Sequence, residues 1–96
     1  MSGYLIYNYN VIDKKRINEL GPLSLPIVQK YGGELIVASL VTELEGSSYS
    51  HMVVYKFSSK EKAQAFYDSD ESIELSKLRN KVTEGTVVIV SAFNKG

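Results

Sequence analysis

The sequence predicts an α+β domain of ferredoxin-like type: β-α-β-β-α-β order and a four-stranded antiparallel sheet with helices on one face. Two observations lead there, and a third bears on assembly. Four segments are rich in β-branched and aromatic residues. Two intervening stretches carry apolar residues at helical spacing. Both faces of the strand segments are apolar. The 96 residues fit one domain, 1–96, with no room for a second.

The first strand is Tyr4 to Ile12 (YLIYNYNVI). Asp13 then offers an N-cap to a helix beginning KKRINEL. Ile17, Leu20, Ile27, Val28 and Tyr31 form one apolar stripe over about residues 13 to 31. Gly21-Pro22 and Pro26 interrupt it, because each proline lacks an N–H donor, so a kinked or split helix is expected. Gly32-Gly33 stops the helix, since glycine accepts the left-handed conformation beyond a helix end. The second strand runs from Glu34 to Leu44, and Glu45-Gly46-Ser47-Ser48 reads as a turn. The third strand is about Ser50 to Phe57.

Ser58 and Glu61 have the spacing of a capping box, which opens a helix burying Ala63, Phe66 and Tyr67. Asp68-Ser69-Asp70-Glu71 breaks that segment and starts a second helix, with acidic residues favourably placed against its dipole. Leu75, Leu78 and Val82 form the next stripe, with Lys77, Arg79 and Lys81 near its C-terminal end. Glu84-Gly85 reads as a turn, and Thr86 to Phe93 (TVVIVSAF) as the fourth strand. Asn94-Lys95-Gly96 is expected to fray.

Composition excludes several functions. Eleven basic and eleven acidic residues, mixed along the chain, give zero net charge and no basic stripe for nucleic acid. No apolar run approaches the ~20 residues of a membrane span. The start, Met1-Ser2-Gly3-Tyr4, has no signal-peptide character, so a cytoplasmic protein is expected. With no cysteine there is no disulfide, thiol nucleophile or cysteine-based zinc site, and a single histidine argues against a metal centre. No glycine-rich phosphate loop is present, and no cofactor is expected.

The sheet faces predict a homodimer. Along a strand, alternate residues face opposite sides. Leu5, Tyr7, Tyr9 and Val11 oppose Tyr4, Ile6 and Ile12; Val53, Tyr55 and Phe57 oppose Met52 and Val54; Val87 and Ile89 oppose Val88 and Val90. Helices cover one face only, and a bare apolar face exceeds what a monomer usually exposes. A second copy packed sheet to sheet would cover it and close the pair toward a barrel.

The opening YLIYNYNVID, Lys30-Tyr31-Gly32-Gly33, Leu44-Glu45-Gly46, the run FSSKEKAQAFYDSDES and the LxxLR ending at Arg79 together resemble one bacterial family, domain of unknown function 1330. The resemblance extends from Tyr4 to about Val90. It implies the dimeric α/β barrel superfamily, which also holds cofactor-free monooxygenases, haem-degrading proteins and stress-response proteins. It implies no particular activity. The chain departs from the family pattern at Ser39-Leu40, where paired glycines are usual, and at Asp70-Glu71-Ser72, where Pro-Glu-Tyr is usual.

Few residues could carry chemistry. His51 titrates near neutrality and could shuttle protons at a barrel mouth, or be an ordinary strand-end histidine. Asn8 and Asn10 share one strand face; they could line a polar end of a cavity, or satisfy each other or water. Arg79 could hold an anionic ligand, or pair with Asp68, Asp70 or Glu71. Seven tyrosines, among them Tyr4, Tyr7, Tyr9 and Tyr55, could line a pocket for an aromatic ligand or simply pack. His51 and Asn8 are thus the catalytic candidates, and Asn8, Asn10, Tyr55 and Arg79 the ligand-binding ones. The expected function is a dimeric domain binding a small apolar or aromatic molecule. A cofactor-free enzyme of monooxygenase or isomerase kind, and a purely structural dimer, are the alternatives.

Overall fold

Strand β1 (Gly3–Val11) lies inside the sheet, paired antiparallel to β3 (His51–Phe57) on one side and β4 (Thr83–Ser91) on the other. β2 (Glu34–Leu40) pairs antiparallel to the outer side of β3, so the strand order is β2-β3-β1-β4. The three helices are α1 (Leu20–Lys30), α2 (Lys60–Asp68) and α3 (Asp70–Val82). This is the ferredoxin-like arrangement, with the second helical segment divided in two. The structure, a computed structural model, describes residues 1–93; the fraying expected of Asn94 to Gly96 lies outside those residues.

Parity decides which side of the sheet the helices cover. Leu5 and Tyr7 on β1 and Tyr55 and Phe57 on β3 share one face, and Val28, Ala63 and Phe66 pack on it from the helices. Phe66 sits at the centre of this core. Its ring lies 5.5 Å from Phe57, 6.0 Å from Tyr31 and 6.2 Å from Tyr55, centroid to centroid. The other face has no helix. It presents Ile6, Met52 and Val54 at its centre and Val37, Val88 and Val90 toward its edges, the last two 48% and 42% exposed.

The split of the first helix takes a definite form. Asp13 Oδ1 accepts from the N–H groups of Lys15 and Arg16 at 3.0 and 3.1 Å, but the chain then runs through a turn and a short 3-10 stretch, Ile17–Glu19, before α1 starts at Leu20. Pro22 falls in the first turn of α1, where no N–H is needed. Gly32, at φ +81°, ends the helix, and Gly33 donates back to the Val28 carbonyl at 2.9 Å.

Four sequence-based boundaries change. The cap of α2 is Ser59, not Ser58: its hydroxyl accepts from the Lys62 N–H at 3.1 Å. β2 ends at Leu40, not Leu44, because after a last rung from the Val41 N–H to the Ser50 carbonyl the chain leaves for the loop that turns at Gly46, φ +71°. Glu84-Gly85 is not a turn but part of β4, opposite Asn10 and Tyr9. β4 also ends at Ser91 rather than Phe93. The helix-to-strand change falls at Thr83 with no loop, and Thr83 Oγ1 donates to the Arg79 carbonyl at 2.8 Å. A glycine is required at 85, since a Cβ there would lie 2.1 Å from the Asn8 carbonyl oxygen.

Candidate functional site

Beyond the Phe66 ring cluster the helices and sheet diverge. The space between them is a cavity of about 590 Å³. Tyr7, Tyr9 and Tyr55 project into it from the sheet; Ser24 comes from α1, Phe66 from α2 and Arg79 from α3. Each residue follows from an elementary pattern. Tyr7 and Tyr9 alternate with Leu5 on the helix-covered face of β1. Ser24 is in phase with the apolar stripe of Ile17, Leu20 and Val28, a polar residue where periodicity expects an apolar one. Arg79 lies one turn beyond Leu75, which also lines the cavity.

The aromatic walls lock one another. Tyr7 and Tyr55 meet edge to face, centroids 5.7 Å apart. The Tyr55 hydroxyl and Ser24 Oγ lie 3.4 Å apart. Burial pushes the Tyr7 phenol well above its ordinary range; the Arg79 guanidinium acts in the opposite sense, and Tyr55 and Tyr67 add to the rise. Burial, then Tyr55, also raises Tyr9. Both phenols therefore keep their protons at physiological pH and face the cavity as neutral groups that can donate.

Among the described residues Arg79 is the one positive charge on the cavity wall, with its guanidinium carbon 5.2 Å from the Tyr7 ring centroid. The carboxylates that sequence offered as its partners are used elsewhere or stand apart. Glu71 binds Lys30 Nζ at 2.7 Å, and Asp68 accepts from Gln64. The ion pairs among the described residues are Arg16–Glu19, Lys30–Glu71 and Lys77–Glu74, none of which involves Arg79.

The structure divides the sequence-named residues into two groups. Tyr55 and Arg79 line the cavity. Asn8 and Asn10 lie on the helix-free side of β1 and brace the loop between β2 and β3. Asn8 Nδ2 donates to the carbonyls of His51, at 2.9 Å, and Tyr49, at 3.4 Å, and its Oδ1 accepts from Ser48 Oγ. Asn10 Oδ1 accepts from the Ser50 N–H at 2.9 Å. His51 stacks on Tyr9, rings 5.3 Å apart and 15° from parallel, with Nδ1 2.7 Å from Ser50 Oγ. It stands behind the cavity wall rather than in it. Sequence reasoning missed Ser24 and Phe66 as cavity residues; the signal for Ser24 was the break in helical periodicity, whereas Phe66 read only as core. Among the described residues no three His, Cys, Asp or Glu side chains cluster as a metal site, and no helix is long and apolar enough to cross a membrane.

The family model for Domain of unknown function (DUF1330) matches residues 2–93. The chain belongs to this family. No curated protein matches it. Among solved structures, a protein of unknown function from Rhodopseudomonas palustris is similar over 97% of this chain and 83% of its own, with a TM-score of 0.75 and 12% identity. SnoaB, a cofactor-independent oxygenase from Streptomyces nogalater, is similar over 98% and 95%, with a TM-score of 0.63 and 6% identity. A dimeric protein of unknown function with a ferredoxin-like fold from Bacteroides fragilis is similar over 95% and 96%, with a TM-score of 0.52 and 10% identity. These likenesses establish the fold. Ser72 is buried and borders the cavity.

Proposed function

We propose that this DUF1330 protein binds a small aromatic molecule in the cavity between its sheet and helices, and does so as a homodimer joined through the helix-free sheet face. One observation carries the ligand reading: a cavity of about 590 Å³, large enough for a small molecule, walled by aromatic rings from sheet and helices together with polar side chains. The dimer reading rests on the apolar residues of the helix-free face, Ile6, Met52, Val88 and Val90, and is supported by the dimeric state of the Bacteroides fragilis neighbour. In this reading Tyr55 and Arg79 contact ligand, while Asn8, Asn10 and His51 hold the framework.

Protein-observed NMR with a neutral naphthalene derivative, 2-naphthamide, tests the ligand reading. Saturable shifts at Tyr7, Tyr55 and Phe66 are expected. Shifts confined to the helix-free face, or none, would refute it.

A second reading, a cofactor-free enzyme on the same frame, draws on the likeness to SnoaB, whose chain is matched almost end to end. Oxygen uptake in the presence of polyhydroxylated aromatic compounds tests it. A rate no higher than that of the compounds alone would remove it.

A further inference from the structure

We propose that the cavity selects aromatic molecules bearing an ionised oxygen, held against Arg79 with the Tyr7 hydroxyl as a second donor. The inference rests on the ligand reading above and names the ligand's chemistry.

Three observations converge. Arg79 is on the cavity wall and has neither an ion pair nor a hydrogen bond on its guanidinium among the described residues. A guanidinium is always charged and presents a fork of donors matched to a carboxylate. A partly buried one left without an anion forgoes the strongest contact available to it. Second, the Tyr7 hydroxyl is also without a hydrogen bond among the described residues, although Tyr7 is only 8% exposed, and this phenol stays protonated. Its surroundings include the open cavity, so its donor is free for a ligand oxygen. Third, Arg79 and Tyr7 are adjacent, at 5.2 Å from guanidinium carbon to ring centroid, so the two donors can serve one anionic group.

Opposing charge is small. Among the described residues Glu84 is the one carboxylate on the wall; it is exposed and stands opposite Asn10 in the register, on the helix-free side of the sheet. Of the remaining wall, Tyr9, Tyr55, Phe66 and Leu75 offer ring faces and aliphatic surface, while Asn18, Ser24, Asn80 and Thr86 offer neutral polar groups. A flat aromatic body with one acidic oxygen fits both halves of the chamber. A neutral aromatic leaves the Arg79 charge unmatched.

The test compares two probes of the same shape, 2-naphthoate and 2-naphthamide, titrated near neutral pH by calorimetry or NMR. The acid is ionised and the amide neutral. Naphthoate is expected to bind about tenfold tighter or more, the usual scale of one charge-assisted hydrogen bond. Arg79→Gln should bring the two affinities together, and Arg79→Lys should keep part of the gap, since it keeps the charge but not the fork. Circular dichroism confirms that each variant folds. Equal affinities in the wild-type chain would overturn the inference and leave the ligand reading standing. No binding of either probe would overturn both. A preference that survives Arg79→Gln unchanged would also overturn it.

Discussion

The Arg79 guanidinium lies over the Tyr7 ring, carbon to centroid 5.2 Å, joining the last turn of α3 to the middle of β1. The pair couples the charge of the cavity to the protonation of a buried phenol.

Burial of that phenol sets an alkaline limit on stability, which the Arg79 charge partly offsets. Burial raises the Tyr7 phenol above the ordinary tyrosine value of 10.0. Above that value the unfolded chain loses the proton more readily than the folded one, so rising pH favours unfolding. The contribution is fully present below about pH 10 and is lost progressively above it. Urea denaturation across the alkaline range should show a steeper fall for the wild-type chain than for Tyr7→Phe. Arg79→Gln, which removes the charge opposing the rise, should push the Tyr7 titration still higher, read by the ultraviolet absorbance of phenolate.

Gly85→Ala should be the most damaging single-methyl change in β4. The added Cβ would meet the Asn8 carbonyl oxygen at 2.1 Å and Tyr9 Cα at 2.7 Å, both in the backbone of β1. Neither atom can move without opening the central strand pair. A loss of about 3 kcal/mol is expected, the upper range for overpacking, measured from the denaturation midpoint. Gly21→Ala, where nothing lies within 4 Å, should cause no comparable loss.

Asn8→Ala should loosen the loop between β2 and β3 and leave the cavity intact. Its amide carries the contacts to His51, Tyr49 and Ser48, so the variant should lose about 1–2 kcal/mol through unpaired carbonyls. Amide hydrogen exchange should quicken around residues 48 to 51. Affinity for 2-naphthamide should not change, since Asn8 lies on the far side of the sheet.

Val88→Glu places a charge on the proposed interface, next to Ile6 in the strand register. Size-exclusion chromatography with light scattering should report a dimer for the wild-type chain and a monomer for the variant, both folded. A wild-type monomer at micromolar concentration would refute the dimer.

Much of the architecture was legible because it depends on local chemistry. Strand β1 reads as a strand from its own residues, and Gly32 ends α1 because only glycine sits easily at φ +81°. The break at Ser69 was visible as an acidic cluster. What was hidden depended on partners distant in sequence. Glu84-Gly85 has the composition of a turn, but the pairing with Asn10 and Tyr9 draws it into β4, and the glycine is there for the Asn8 carbonyl rather than for a bend. Asn8 and Asn10 could be placed together on one face, yet nothing in the spacing told which face the helices would take. Arg79 had plausible carboxylate partners within its own segment; only the fold reveals that Lys30 reaches Glu71 first.

Ser69 closes α2 and opens α3, its hydroxyl accepting from the Ser72 N–H and donating to the Phe66 carbonyl. At the other end α3 passes straight into β4. The helix is thus clamped between two fixed points with no slack on either side. Each residue of an α-helix advances about 100° around the axis. Inserting or deleting a single residue within α3 would swing Arg79 out of the chamber or force β4 out of register. Length variation in this segment is therefore permitted only in steps close to a whole helical turn, whereas the loop carrying Glu45 and Gly46 can lengthen freely. A catalogue of natural insertions across the family should show only steps close to a whole helical turn between Ser69 and Thr83 and be crowded between Val41 and Ser50.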